Sequence, residues 1–87
     1  MALTFPNQSR SYDETGKRVR FCGYDGMFEI PFFVENEALE IRMKHPSRTE
    51  ADYLAAFDDA RTEIIAAAMA IYNRGGRTPF VLTAASF

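Results

Sequence analysis

Two apolar patterns of different period follow one another along the chain, and this change of period limits its fold more than any other feature. In residues 17–34 apolar and polar side chains alternate, which is typical of a β-hairpin with one buried face. In residues 49–74 apolar side chains recur every three to four positions, which predicts a helix with one broad apolar face. These segments hold most of the large apolar residues of the 87-residue chain. We therefore expect one core between a sheet and a helix, with few apolar residues left to line a reactive site.

The hairpin pattern also predicts a strand register. A two-residue turn at the Asp-Gly pair, residues 25–26, places Phe21 opposite Ile30. The next inner pair is then Val19 with Phe32. The inner face carries apolar side chains only: Val19, Phe21, Phe28, Ile30 and Phe32. The outer face is mixed: Arg18, Arg20, Cys22, Glu29, Pro31 and Phe33.

The order of the predicted elements indicates an α+β fold. We expect an antiparallel sheet in the order β-β-β-α-α-β, with one short and one long helix packed on one face. Residues 1–87 are expected to form a single domain. Its parts are an extended lead-in at 1–9, a β-meander at 10–34, a short helix at 35–43, a long helix at 49–74 and a final strand at 78–84. The final strand is expected beside either the first or the third strand.

The composition favours an ordinary cytoplasmic protein. The single cysteine, Cys22, is typical of a reducing compartment, and the start of the chain lacks the pattern of a secretory signal. The net charge of −2 argues against a general nucleic-acid binder. The sequence has no phosphate-binding loop or dinucleotide fingerprint, and one Cys with one His does not complete a usual zinc site. We expect no cofactor, no metal and no membrane contact.

Four segments of the sequence resemble a known family. They are Arg18-Val-Arg-Phe-Cys-Gly23, Ile30-Pro-Phe-Phe-Val-Glu-Asn-Glu-Ala-Leu39, Ala55-Ala-Phe-Asp-Asp-Ala-Arg61 and Leu82-Thr-Ala-Ala-Ser-Phe87. With these segments the chain resembles the bacterial domain-of-unknown-function family number 1488 over essentially its whole length. The resemblance implies a small cytoplasmic bacterial protein with an α+β fold. It implies no established activity, cofactor or catalytic residue.

Arg61 is the charged residue whose position is least expected. It falls within the apolar face of the predicted long helix, between Phe57 and Ile64, where an unpaired guanidinium is costly to bury. One interpretation is a contact with an anion or ligand at the junction of helix and sheet. The other is that Arg61 reaches solvent or pairs with a carboxylate such as Asp58.

Other residues with reactive side chains have simpler interpretations. His45, the single histidine, lies in a basic loop before a proline, where we expect a surface position. The arginines near Cys22 are expected to lower the pKa of its thiol, but a half-buried small residue is the favoured interpretation. The remaining carboxylates are interpreted as helix caps and solvated faces: Glu35, Glu37, Glu40, Asp58, Asp59 and Glu63.

Two surfaces are candidates for binding. Arg18 and Arg20 alternate on the outer face of the hairpin close to Lys17, which resembles a basic platform for single-stranded nucleic acid. The alternative there is an ordinary mixed surface in which Arg20 pairs across the strands with Glu29. The second surface is the small-residue side of the long helix, which would let a second helix approach closely: Ala66, Ala67 and Ala70.

These observations favour a non-enzymatic protein-interaction domain, with a homodimer as one form of it. The contacts would be residues 66–70 of the long helix and the outer face of the hairpin. A second hypothesis is a nucleic-acid-binding accessory protein that uses Arg18 and Arg20. A third is a small-molecule or anion binder, or an enzyme, built around Arg61.

Overall fold

The protein forms one mixed β-sheet with helices on one side of it, as the α+β prediction requires. The computed structural model describes residues 3–6, 9–43, 49–75 and 79–87. The strands are β1 (Leu3–Thr4), β2 (Arg10–Asp13), β3 (Arg18–Asp25), β4 (Phe28–Glu35) and β5 (Phe80–Leu82). The helices are α1 (Asn36–Glu40), α2 (Glu50–Asp59) and α3 (Arg61–Asn73), followed after β5 by a 3₁₀ turn at Ala84–Ser86.

Strand β3 is the centre of the sheet. It pairs antiparallel with β4 on one side and with both β1 and β2 on the other. Strand β5 lies beside β4, which is one of the two positions expected for the final strand. This last pair is parallel, so the sheet is mixed and not antiparallel throughout. The three helices supply the long crossover that a parallel pair requires, because they return the chain to the end of the sheet where β4 begins.

The turn between β3 and β4 lies one residue later than the sequence pattern predicts. Asp25 pairs with Phe28, so the turn residues are Gly26 and Met27. Gly26 has a φ of 63° and stands at the first of the two central positions, where a type II′ turn needs positive φ. The register is shifted by two residues as a result, and Phe21 faces Phe32 instead of Ile30.

A shift of two residues preserves the two faces of the hairpin, because side chains alternate with a period of two. Val19, Phe21 and Phe32 therefore remain on the inner face, where each is buried. The prediction for Phe28 is wrong. Its side chain is 75% exposed because the new register places it beside the turn at the very end of the hairpin.

The core lies between the inner face of the sheet and the helices. Its fully buried large side chains come from both layers: Val19, Phe32, Val34, Leu39, Phe57, Ile64 and Leu82. The ring of Phe21 lies 5.3 Å from that of Phe32 and 5.1 Å from that of Phe57, measured between centroids. Phe5 extends the cluster from the N-terminal segment, 5.8 Å from Phe32. Gly23 makes room for it, because a Cβ at that position would lie 2.8 Å from the Phe5 ring.

The long helix predicted for residues 49–74 is two helices that meet at Ala60. That residue has φ −101° and ψ 11°, outside the α-helical range, and it separates α2 from α3. Helix α2 contacts β2 and β3, whereas α3 contacts β5. A straight helix of this length would extend to roughly 39 Å, against about 27 Å for the longest strands, so the break keeps both halves on the sheet.

Helix α2 begins with a capped first turn. Thr49 is its N-cap and accepts a hydrogen bond from the backbone N–H of Asp52, while Asp52 accepts one from the backbone N–H of Thr49. This reciprocal pair is a capping box. Helix α1 is shorter than predicted, since residues 41–43 lie beyond its end. None of the helices in the described part of the chain combines the length and the apolarity needed to cross a membrane.

The burial of Phe57 and the exposure of Phe28 predict that their replacement has very different effects on stability. Replacing Phe57, which is fully buried, by alanine should lower the free energy of unfolding by about 3–5 kcal/mol. Replacing Phe28, which is largely exposed, should cost less than about 1 kcal/mol and serves as the matched control. Urea unfolding followed by circular dichroism measures both. Equal losses for the two variants would contradict the assigned core.

Candidate functional site

The face of the sheet turned away from the helices carries a mixed set of side chains, and we call it the outer face. The register arranges it in four rows across the strands. The rows are Asp13-Arg18-Glu35, Ser11-Arg20-Phe33-Val81, Cys22-Pro31 and Thr4-Tyr24-Glu29. The described helices pack on the inner face, so these rows form an open surface.

Arg18 is held in place by its neighbours on the outer face. Its guanidinium lies 3.7 Å from the centroid of the Phe33 ring, and its Nε donates to Asp13 Oδ2 at 2.9 Å. The backbone N–H of Gly16 and the Arg18 guanidinium together lower the pKa of the Asp13 carboxyl. Arg18 is therefore engaged by its own chain through both its charge and its flat face.

Arg20 and Glu29 do not form the cross-strand pair that the sequence suggested. The two-residue register shift places Arg20 opposite Phe33 and Glu29 opposite Tyr24. Glu29 accepts a long hydrogen bond from the Tyr24 hydroxyl, 3.5 Å, within its own row, and another from the Cys22 thiol in the adjacent row. The rows of Arg20 and Glu29 are four residue positions apart along β3, which is a distance of roughly 14 Å. Within the described ranges neither side chain has an ion pair, although both are exposed.

Cys22 lies between these two charges, and its thiol is less acidic than the sequence suggested. Partial burial and a hydrogen bond to Glu29 raise its pKa, while the charge of Arg20 acts in the opposite direction. The expectation of a lowered pKa is wrong because it counted the arginines and not the desolvation or the carboxylate. A shallow concavity of about 220 Å³ adjoins the thiol and is lined by Arg20, Tyr24 and Glu29 among other residues.

Arg61 is bound within the helix layer. Its Nη2 donates to Asp58 Oδ1 at 3.0 Å, and its guanidinium lies 5.0 Å from the centre of the Phe57 ring. Asp58 also accepts two hydrogen bonds from Arg10, from Nε at 3.0 Å and from Nη2 at 2.9 Å. The two arginines lower the pKa of the Asp58 carboxyl, with Arg10 contributing most. The pairing with Asp58 is one of the two interpretations considered for Arg61.

The alanines predicted to share one surface of the long helix differ in exposure. Ala66 and Ala70 are exposed on α3, and Met69 between them is 38% exposed. Ala67 is half-buried and packs against the core. The available small-residue surface is therefore narrower than the sequence suggested.

The other candidates are dispersed. His45 lies outside the described residues. Glu63 pairs with Arg42, and Glu40 accepts from the Tyr53 hydroxyl at 2.6 Å. In the part of the chain that the structure describes, no three His, Cys, Asp or Glu side chains are grouped so as to hold a metal ion.

Sequence reasoning did not place Thr4 or Val81 on the outer face. Thr4 belongs to it because β1 joins the edge of β3, and Val81 belongs to it because β5 pairs with β4. Nothing local to the sequence could have identified these two residues, since both positions depend on which strands become neighbours.

The match to a family model covers almost the whole chain. The model is described as "Protein of unknown function (DUF1488)", and it matches residues 3–82. The chain belongs to this family. This confirms the resemblance seen in the sequence, and the family description names no activity. No curated protein and no solved structure matches the chain significantly.

The surroundings of Cys22 predict opposite effects of its two charged neighbours. Glu29→Gln should lower the pKa of the thiol, because it removes a negative charge and weakens the hydrogen-bond acceptor. Arg20→Gln should raise that pKa. At pH 8 the alkylation of Cys22 by iodoacetamide should therefore become faster in the first variant and slower in the second. If both variants shift the rate in the same direction, the assigned environment of the thiol is wrong.

Proposed function

We propose that this chain is a protein-interaction domain without catalytic activity of its own, and that its contact surface is the outer face of the sheet. The observation that carries the proposal is the open sheet face itself, which combines a half-buried apolar centre with two exposed charges, Arg20 and Glu29, that form no ion pair among the described residues. We also propose that the protein works in the bacterial cytoplasm, which is supported by its single free thiol.

The composition of the outer face suits contact with a protein. Its centre is formed by the half-buried side chains of Cys22, Pro31 and Val81, which lie around the buried Phe33 ring that Arg18 covers. Exposed charges of both signs, Arg20 and Glu29, lie on either side of the Cys22 row. An apolar centre with a polar margin is the usual arrangement of a protein–protein interface. The charges at such a margin favour the correct partner and orientation.

The charge of this face gives less support to a nucleic-acid partner. The basic side chains of Arg18 and Arg20 are matched there by three carboxylates, those of Asp13, Glu29 and Glu35. Arg18 also covers the Phe33 ring, which a base would need for stacking. A platform for single strands needs net positive charge and free aromatic faces. We therefore place the nucleic-acid hypothesis second.

The two remaining candidate surfaces also rank below the outer face. Arg61 binds Asp58 of its own chain, so an anion would have to compete with a carboxylate already in place. Ala66 and Ala70 present a narrow exposed surface, which high helix propensity alone would explain. We retain α3 as a second possible contact, which glutamate substitution tests directly.

A comparison of two arginine variants tests the proposed surface. Immobilised wild-type protein should retain a specific partner from an extract of its native cells, and Arg20→Glu should lose most of that binding. Arg74→Glu is the matched control, because it makes the same charge change at an exposed residue at the end of α3. Equal retention by the two variants would contradict a role for the outer face.

The same variants separate a protein partner from a nucleic acid. An electrophoretic shift assay with a labelled single-stranded oligonucleotide at low salt should show no binding by the wild type. A shift that is lost in Arg20→Glu and weakens steeply with salt would instead favour the nucleic-acid hypothesis.

A further inference from the structure

We infer that the partner of the outer face is a second copy of this chain, bound sheet to sheet. The inference rests on the proposed use of the outer face and adds the identity of the partner. It is based on the positions of Arg20 and Glu29, which stand on opposite sides of the Cys22-Pro31 row. Each is an exposed charge with no ion pair in the described ranges.

This arrangement is complementary to itself. In a two-fold dimer, if residue i of one copy contacts residue j of the other, then j of the first contacts i of the second. A two-fold axis that lies in the interface and passes by the Cys22-Pro31 row sets Arg20 of each copy against Glu29 of the other. Two identical ion pairs form, and the apolar central row faces its own copy. If each row instead faced the same row of the second copy, like charges would come together. Electrostatic repulsion therefore favours the orientation that sets Arg20 against Glu29.

The side chains are long enough for these contacts. Sheets packed face to face lie about 10 Å apart, and an arginine opposite a glutamate spans that gap. Arg18 does not compete for Glu29 of the second copy, because its guanidinium is held by Asp13 and by the Phe33 ring. Arg20 and Glu29 have no ion pair within the described ranges, and a symmetric pair of chains uses each of them once per copy.

The size of the face predicts a weak dimer. Four strands and four rows cover roughly 14 by 20 Å, which is below the area of about 800 Å² per partner in a standard stable interface. Dimerisation should therefore depend on protein concentration. Because its two ion pairs lie at the margin, dimerisation should also weaken as salt is raised.

A charge-exchange experiment tests the inference. Sedimentation equilibrium over two decades of concentration, at low salt, should show the wild type in reversible equilibrium between monomer and dimer. Arg20→Glu and Glu29→Arg should each raise the dimer dissociation constant by about tenfold or more, because each sets like charges against one another twice. An equimolar mixture of these two variants should regain the dimer as a heterodimer. In that pairing one copy supplies both carboxylates and the other both guanidinium groups.

The controls separate this arrangement from other dimers. The double variant, Arg20→Glu with Glu29→Arg, should dimerise like the wild type. Ala70→Glu on α3 and Arg74→Glu should leave the dissociation constant unchanged. Circular dichroism should show that all variants are folded, as expected for substitutions at exposed positions. A monomeric wild type at every concentration, a mixture that stays monomeric, or loss of the dimer in Ala70→Glu alone would overturn the inference.

Failure here is distinguishable from failure of the proposed function. If the wild type is monomeric but binds another protein from the cell extract, and Arg20→Glu does not bind it, the outer face contacts that protein. This result would exclude the dimer but not the proposed contact surface. If Arg20→Glu and Arg74→Glu retain the same proteins, the outer face itself is not the contact surface.

Discussion

The contact between the aromatic rings of the sheet and the helices is the interaction on which the rest of the structure depends. Phe21, Phe32 and Phe80 form a row on the inner face with centroid separations of 5.3 Å between neighbours. Phe57 packs onto this row from α2. A domain of this size has enough apolar surface for one such layer. Covering one face of the sheet therefore leaves the other face open, and the candidate site is a consequence of how the core is formed.

The sequence predicted the two faces of the hairpin better than it predicted the pairing. Val19 and Phe21 were assigned to the core correctly although the register was shifted by two residues, because the alternation has the same period as the shift. The turn itself was misplaced because Asp-Gly suits a turn in which glycine comes second, whereas Gly26 comes first. The break at Ala60 has no local signal, since the apolar pattern continues through it. The helix breaks there because the strands beneath it are shorter than one straight helix would be.

For the charged residues, too, the sequence predicted part of the arrangement and not the rest. Arg18, Arg20 and Arg61 were all identified from sequence as candidate contact residues, and Arg18 and Arg61 pair with carboxylates of their own chain, Asp13 and Asp58. The sequence could not show which arginines bind a ligand and which pair within the chain. An ion pair across strands depends on the strand register, and one between a strand and a helix depends on how the two pack. Arg10 demonstrates the second case, since it reaches Asp58 from β2. Arg20 and Glu29 on the outer face form no such ion pair within the described ranges.

The central claim is that one face of the sheet is sealed by helices while the other is open to solvent. Methyl relaxation by a soluble gadolinium chelate tests it directly in the unmodified protein at low concentration, because β5 has Val81 on the outer face and Leu82 in the core. The account predicts strong relaxation of the Val81 methyl groups and very little for those of Leu82 and Val34. Similar relaxation of Val81 and Leu82 would contradict it.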